Sequence, residues 1–265
     1  MEFETLITRD SYKEGLKKDD KALSKRVLAY LKDPNEKNVH DLRTVTRRVL
    51  AATQVLPKKI RNGKKVAEYA AKLEKLMKAN AKTRDLDIVM GKVAKGSRSN
   101  EHTALLKSLE RLRGSSLEPG LRLAKSLGPD LDFPVKSKDV SESDLEKRFE
   151  KVSVKYATRI EERLPKVVGS PDEKKELHLL REDVRKLRYI LDLGDQKLLE
   201  NQLETLRAWQ DVLGLIHDSD IFIQRVAQLK TSVATGPMLE DEAFVRNRNY
   251  EEFRRLAKTG FKLAG

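Results

Sequence analysis

Residues 39–50 read VHDLRTVTRRVL, and residues 177–191 read LHLLREDVRKLRYIL. Both write His-x-x-Arg-x-x-x-Arg followed by Arg or Lys, with apolar residues threaded between. At about 100° per residue, with His40 at zero, Arg43 falls near 300°, Arg47 near 340° and Arg48 near 80°. Leu42, Val45, Val49 and Leu56 fall between about 140° and 200° on the same wheel. The first stretch is therefore a helix with one basic and one apolar face. The second repeats it, with His178, Arg181, Arg185, Lys186 and Arg188 opposite Leu180, Val184, Leu187 and Leu191. Each basic stripe runs roughly 13–15 Å at 1.5 Å per residue, long enough to follow several consecutive phosphates.

Working outward, helical periodicity dominates and no run alternates as a strand would. Eight helices are expected. The first four run from about Thr5 to Lys32, Glu36 to Leu56, Lys64 to Lys95, and Glu101 to about Leu127, the last with GSSLEPG as its weak point. GPDLDFPVKSKDVS, with two prolines and no period, reads as a linker. A fifth helix opens at Ser141, where Ser143 is a second capping residue, and stops before Pro165. The sixth takes Ser170 as N-cap and Pro171 at its first position, and ends near Gly194. The seventh spans about Leu198 to Lys230 and the eighth about Met238 to the end.

This divides the chain into a first half at 1–128, a linker at 129–140 and a second half at 141–265. The second helix of each half carries the basic motif. The third carries another match, because LMKANAKTRDLDIVM (76–90) aligns with WQDVLGLIHDSDIFI (209–223), Asp85 on Asp218 and Asp87 on Asp220. The two motifs recur at offsets of 138 and 133 residues, which argues for an internal duplication. One departure stands out: the glycine of VLGLIHD has no counterpart in ANAKTRD, which is expected to loosen the helix crossing in the first half.

The composition narrows the function. Of the 265 residues 38% are hydrophobic and 37% charged, with no cysteine. Disulfides and cysteine metal sites are thereby excluded, as suits a cytoplasmic protein. No apolar stretch is long enough to span a membrane, and MEFETLITRD does not read as a signal peptide. The net charge is +13, and it is uneven: residues 1–128 hold 30 Lys and Arg against 16 Asp and Glu, the remainder 25 against 26. A polyanion partner is the physical expectation, whether nucleic acid, acidic membrane or a phosphate polymer.

Arginine offers phosphate a planar fork of donors and keeps its charge, while histidine gains charge when a polyanion raises its pKa. Aromatic platforms are absent from the stripes apart from Tyr189, which disfavours single-stranded nucleic acid. Asp85 and Asp87, like Asp218 and Asp220, stand about 200° apart on their helix, so one metal cannot readily take both. Their expected role is to pair with an arginine of a neighbouring helix. The His-Asp pairs at 40–41 and 217–218 invite a metal phosphohydrolase reading. Few histidines and many surrounding cations argue against it, as the lack of a glycine-rich phosphate loop argues against phosphate transfer.

VHDLRTVTRRV, LHLLREDVRKLRY and LRAWQDVLGLIHDSDIF, with TRDLDIV as a weaker fourth passage, resemble the CHAD domain, the conserved-histidine α-helical domain. The resemblance implies an all-α fold of two four-helix bundles related by a pseudo-twofold axis, with a central basic channel that binds inorganic polyphosphate. It implies that His40, Arg43, Arg47 and Arg48 line one side and His178, Arg181, Arg185 and Lys186 the other, with Arg188 and Tyr189 from the same motif. Asp85 and Asp218 would support the stripes. Many members follow a domain with a Glu-x-Glu-x-Lys signature, but Glu2 and Glu4 lack the lysine, so a stand-alone module is expected. The leading expectation is a non-enzymatic module that recruits polyphosphate or attaches to polyphosphate granules, with no cofactor, metal or membrane partner. The alternative is a sequence-independent nucleic-acid-binding protein.

Overall fold

The computed structural model describes residues 6–95, 100–128, 132–135, 140–229, 235–258, 260–261 and 263, with residues 100 and 101 as backbone only. The described residues are helical, without strands. In order the helices are α1 (Arg9–Lys32), α2 (Glu36–Val55), a short α3 (Lys58–Arg61), α4 (Lys64–Ala79), α5 (Ala81–Val93), α6 (Asn100–Leu127), α7 (Glu142–Gly169), α8 (Lys174–Leu191), α9 (Glu200–Ala227) and α10 (Gly236–Ala257). The start of the expected first helix, Glu2 and Glu4, and linker residues 129–131 and 136–139 lie outside the described residues.

Local chemistry sets the helix ends that carry the first motif. Thr8 and Ser11 form a reciprocal capping box at the start of α1. Asn35 caps α2 by accepting from the Asn38 amide at 2.9 Å, and the Asn38 side chain donates to the Asp33 carbonyl at 2.7 Å. The α1–α2 turn therefore fixes where the basic stripe of α2 begins.

Four expectations change. The expected third helix breaks at Asn80 into α4 and α5. Asn80 is buried, accepts from the Tyr30 hydroxyl at 2.8 Å and donates to the Leu76 carbonyl at 3.1 Å. A Cβ at Gly120 would come within 2.5 Å of the Asn80 side chain and 2.6 Å of the Tyr30 hydroxyl, so Gly120 makes room for this pair. Its segment, GSSLEPG, is helical throughout despite Pro119. α7 likewise passes Pro165 and ends at Gly169, its last turn buried through Val167 and bonded by the Tyr250 hydroxyl to the Val167 carbonyl at 2.8 Å. Tertiary contact here outweighs the local cost of proline. Finally, Ser170 and Pro171 form a turn ahead of α8 rather than its cap. Ser170 Oγ accepts from the Asp172 amide at 3.2 Å, and the helix starts at Lys174.

The core is three clusters. One joins α1, α2, α4 and α6 through Leu23, Tyr30, Leu42, Val49, Leu73 and Ala124. The largest joins α7 to α10, with Phe149, Ile160, Leu187, Trp209 and Phe253, and takes in Tyr12 and Leu16 of α1 and Ala51 to Val55 of α2. A third ties α5 and α6 to α9 through Val89, Leu109 and Phe222. Residues from both halves of the sequence thus share cores.

One interaction occurs twice. Arg113 of α6 donates from Nε to Asp87 Oδ1 at 2.5 Å and from Nη2 to the Pro34 carbonyl at 2.7 Å. Arg246 of α10 donates from Nε to Asp220 Oδ1 at 2.6 Å and from Nη2 to the Pro171 carbonyl at 3.0 Å. Each clamp ties the helix bearing the paired aspartates to the next helix and to the turn ahead of a basic-stripe helix. These clamps leave Asp85 and Asp218, on the other face of α5 and α9, free to look toward α2 and α8.

Candidate functional site

The apolar faces of α2 and α8 are spent on the cores: Leu42 and Val49 of α2, and Leu180, Val184 and Leu187 of α8, are almost fully buried. Their basic faces turn into one cavity of about 580 Å³, walled on its other sides by α5 and α9. His40, Arg43 and Arg47 enter it from α2, and His178, Arg181, Arg185, Arg188 and Tyr189 from α8. Asp85 of α5 and Asp218 of α9 line it as well.

Arg48 and Lys186 do not line the cavity. Arg48 pairs with Asp19 of α1 at 2.8 Å, and Lys186 reaches Glu182 at 3.5 Å and the ring of Tyr156 at 6.0 Å. The helical period explains both. The residues of α2 and α8 that line the cavity span a sector from about 280° through zero to about 40°, and each second basic residue of the Arg-Arg or Arg-Lys pair lies about 100° beyond its neighbour, at about 80°. Adjacent residues on a helix do not share a face.

Two further Arg or His residues of the cavity lie outside the stripes. Arg84 of α5 and His217 of α9 both line it. Their signal was present, since Arg84 aligns with His217 in the same pairing that places Asp85 on Asp218. Gly214 also lines the cavity, and a Cβ there would meet open space. The glycine is therefore not needed for a helix crossing. It leaves the cavity wall bare.

Cations outnumber anions here. Arg84 pairs with Glu36 at 3.1 Å, and Arg188 donates to Gln210 at 2.8 Å and faces Asp192 at 3.7 Å. Among the described residues Arg43 donates only to the Met77 carbonyl, at 2.5 Å, and Arg47 only to the Thr44 hydroxyl, at 3.2 Å, and the buried Nε atoms of both have no acceptor. Asp85, the acid that acts on Arg43, is taken by Arg225 of α9 at 2.6 Å.

Burial and mutual repulsion act together. Burial, then Arg47, push Arg43 down to about 10. Burial, then Arg47 and Arg181, push Arg185 down to about 9. Arg181 is lowered by burial and by Arg47, with Asp218 opposing. An arginine holds its proton at neutral pH, so these shifts measure an unmet demand for negative charge. They also show that arginines of α2 and α8 feel one another across the cavity. His217 is pushed down to about 3 by burial, Arg181, His178 and Arg185, and His40 is lowered by burial, Arg84 and Arg47. Asp218 is raised by burial despite Arg181, Arg84 and Lys92. The rings of His178 and His217 stand 5.3 Å apart. Tyr189 is 5% exposed and lies under the guanidinium of Arg188, 4.7 Å from its ring centre, so it braces that arginine and presents no free stacking face.

With this geometry in place, comparison with known proteins identifies the family. The model of the CHAD domain matches residues 14–227. The chain belongs to the CHAD domain family. Among solved structures, the CHAD domain from the plant Ricinus communis aligns with a TM-score of 0.65 at 14% identity, over 97% of this chain and 93% of that one. PptA from Streptomyces chartreusis aligns with a TM-score of 0.56 at 15% identity, over 96% and 98%. At such identities the likeness is one of fold. No curated protein matches the sequence. Among the described residues no helix is long and apolar enough to cross a membrane, and no three His, Asp or Glu side chains gather as a metal ligand set.

Proposed function

We propose that this cavity binds inorganic polyphosphate, and that the protein is a non-enzymatic module that recruits the polymer or attaches to its granules. The observation that carries this reading is the set of half-buried arginines, Arg43, Arg47 and Arg181, that face one another with no ion-pair partner among the described residues. Buried guanidinium groups in that state demand an anion with many oxygens and little bulk. A phosphate chain meets that demand. In this reading the chain is an internal duplication whose halves, 1–128 and 141–265, are four-helix bundles about a pseudo-twofold axis, and each supplies one wall of a basic channel. The paired clamps of Arg113 and Arg246 support that symmetry.

His40, Arg43 and Arg47 then hold phosphate oxygens from one wall, and His178, Arg181, Arg185 and Arg188 from the other, with Arg84 and His217 between. Asp85 and Asp218 moderate the repulsion until the ligand arrives. The covered ring of Tyr189 and the narrow, four-walled cavity weigh against nucleic acid, whose bases need stacking faces or groove contact.

The test is a competition titration of long-chain polyphosphate against DNA and RNA of equal phosphate content. Polyphosphate is expected to win clearly, and equal or tighter DNA binding would overturn the reading. Incubation with polyphosphate and magnesium or manganese is expected to release no phosphate above background. Turnover lost on Asp218→Asn would instead make the protein an enzyme.

A further inference from the structure

A second group of cations stands beside the cavity, on the outer side of α8. Three of them surround one ring: Lys155 Nζ lies 5.4 Å, Arg159 Cζ 5.7 Å and Lys186 Nζ 6.0 Å from the centre of Tyr156. Arg148 stands about two turns back along α7, its Nε donating to the Gln54 carbonyl at 3.0 Å. Arg61 of α3 is close enough to Arg148 to lower its pKa. Burial and then Arg159, Arg148 and Lys186 lower Lys155 in the same way. Acids are few. Asp183 is held by Arg163 at 2.9 Å and lies 3.9 Å from Arg159.

The cluster is anchored to the cavity at two points. The Tyr156 hydroxyl donates to Gln54 Oε1 at 2.8 Å. Gln54 lies two turns beyond Arg47 on the cavity-facing stripe of α2, about 20° off it in angle and roughly 10 Å along. On α8, Glu182 lines the cavity and stands between the two groups, 3.8 Å from Arg185 through Oε1 and 3.5 Å from Lys186 through Oε2. Lys155 is exposed, while Arg148, Arg159 and Lys186 are half-buried, so the cluster is open to an anion from outside.

We propose that Arg61, Arg148, Lys155, Arg159 and Lys186 form a second phosphate subsite that holds the part of a long phosphate chain emerging from the cavity past Glu182. This rests on the polyphosphate reading of the cavity. It gives Lys186 a role on the face to which the helical period turns it. It also implies a preference for chain length, because a short chain fills the cavity and leaves the subsite empty.

The experiment compares tripolyphosphate with long-chain polyphosphate as probes in three proteins: the wild type, Lys155→Gln with Arg159→Gln, and Arg181→Gln. The double variant removes cations from a self-repelling group, so its melting temperature should be no lower than that of the wild type. It is expected to weaken long-chain binding about fivefold or more and to flatten the log-log salt slope by about 1.4, taking the single-strand value of about 0.7 per phosphate contact. Its tripolyphosphate affinity should match the wild type. Arg181→Gln should weaken both probes. An unchanged long-chain affinity and slope in the double variant, with Arg181→Gln still damaging both, would remove the subsite and leave the cavity reading intact. Equal weakening of both probes by the double variant would also remove it, as diffuse charge. If Arg181→Gln affects neither probe, the cavity reading fails and the subsite with it.

Discussion

Glu182 is the residue at which the two basic walls differ most. The offset that aligns His40 with His178 sets it on Thr44, which hydrogen-bonds Arg47 at 3.2 Å. Glu182 instead places a carboxylate 3.8 Å from His178, 3.8 Å from Arg185 and 3.5 Å from Lys186, and these cations hold its pKa below the usual range although burial opposes them. The contacts are long and shared, so Glu182 acts as a loosely held internal anion that a phosphate must repel. A unit charge about 7 Å from a bound phosphate at an effective dielectric near 40 costs about 1 kcal/mol. Glu182→Gln is therefore expected to tighten polyphosphate binding roughly fivefold in a fluorescence titration, and weaker binding would show the carboxylate to be a needed scaffold. His217 provides a second prediction. Burial first and the surrounding cations second hold it near 3, and a bound polyanion opposes the second cause, so binding is expected to draw protons onto His217 and His40. Affinity should rise as pH falls from 7 to 5, and calorimetry in two buffers of different ionisation enthalpy should report proton uptake. Without ligand the sign is opposite. Unfolded His217 protonates below about 6.5 while the folded residue refuses the proton, so stability is full above that pH and falls below it. The basic cavity residues of α2 and α8 were legible in the sequence because the 3.6-residue period is strict on a buried helix. Arg48 and Lys186 were misplaced by treating adjacent cations as one face, and Arg84 and His217 were missed because they lie outside the repeated His/Arg motif, although they align with each other beside Asp85 and Asp218.

At the scale of the element, what holds α2 and α8 in place is the pair of arginine clamps. Arg246 and Asp87 are almost fully buried, and Arg113 and Arg246 each reach both a helix and a turn. Breaking a buried ion pair by removing one partner costs about 3–5 kcal/mol, because the other charge stays buried without a counterion. Arg113→Met is expected to lose about that much in urea denaturation, because the Asp87 side chain it leaves is 1% exposed, and Arg246→Met somewhat less, because the Asp220 side chain it leaves is 24% exposed. A loss below about 1 kcal/mol for Arg113→Met would show that neither the ion pair nor the arginine's bond to the turn carbonyl fixes α2. The clamps were only half legible: Asp87 and Asp220 stood in the aligned motifs, while Arg113 and Arg246 share their 133-residue spacing in helices whose further likeness is short, RLAK at 122–125 and again at 255–258. The helix boundaries that went astray have a common cause. The break at Asn80 and the passage of α6 and α7 through Pro119 and Pro165 are decided by partners distant in sequence, Tyr30 and Tyr250, which no local pattern contains.

For the whole molecule the net charge of +13 and the crowded cavity set two salt dependences of opposite sign. Ligand-free, the arginines of α2 and α8 repel across the gap, and added salt screens that repulsion with a Debye length of about 10 Å at 0.1 M. The free protein should therefore melt at higher temperature as salt rises from low ionic strength. Bound to polyphosphate, the same cations are neutralised and the protein is stabilised by RT ln(1 + [L]/Kd), a gain that shrinks as salt weakens binding. Its melting temperature should start well above that of the free protein and fall as salt rises, so the two curves converge. Arg181→Met separates the causes, because it removes a half-buried cation that has no ion-pair partner among the described residues. At low salt the variant should melt above the free wild type, respond less to added salt, and gain little from polyphosphate. Scanning calorimetry across a salt series reads all three. A wild type whose ligand-free melting temperature falls with salt would mean that attractive surface pairs outweigh the cavity repulsion, and the cavity would then lack the stored electrostatic demand on which polyphosphate binding is argued.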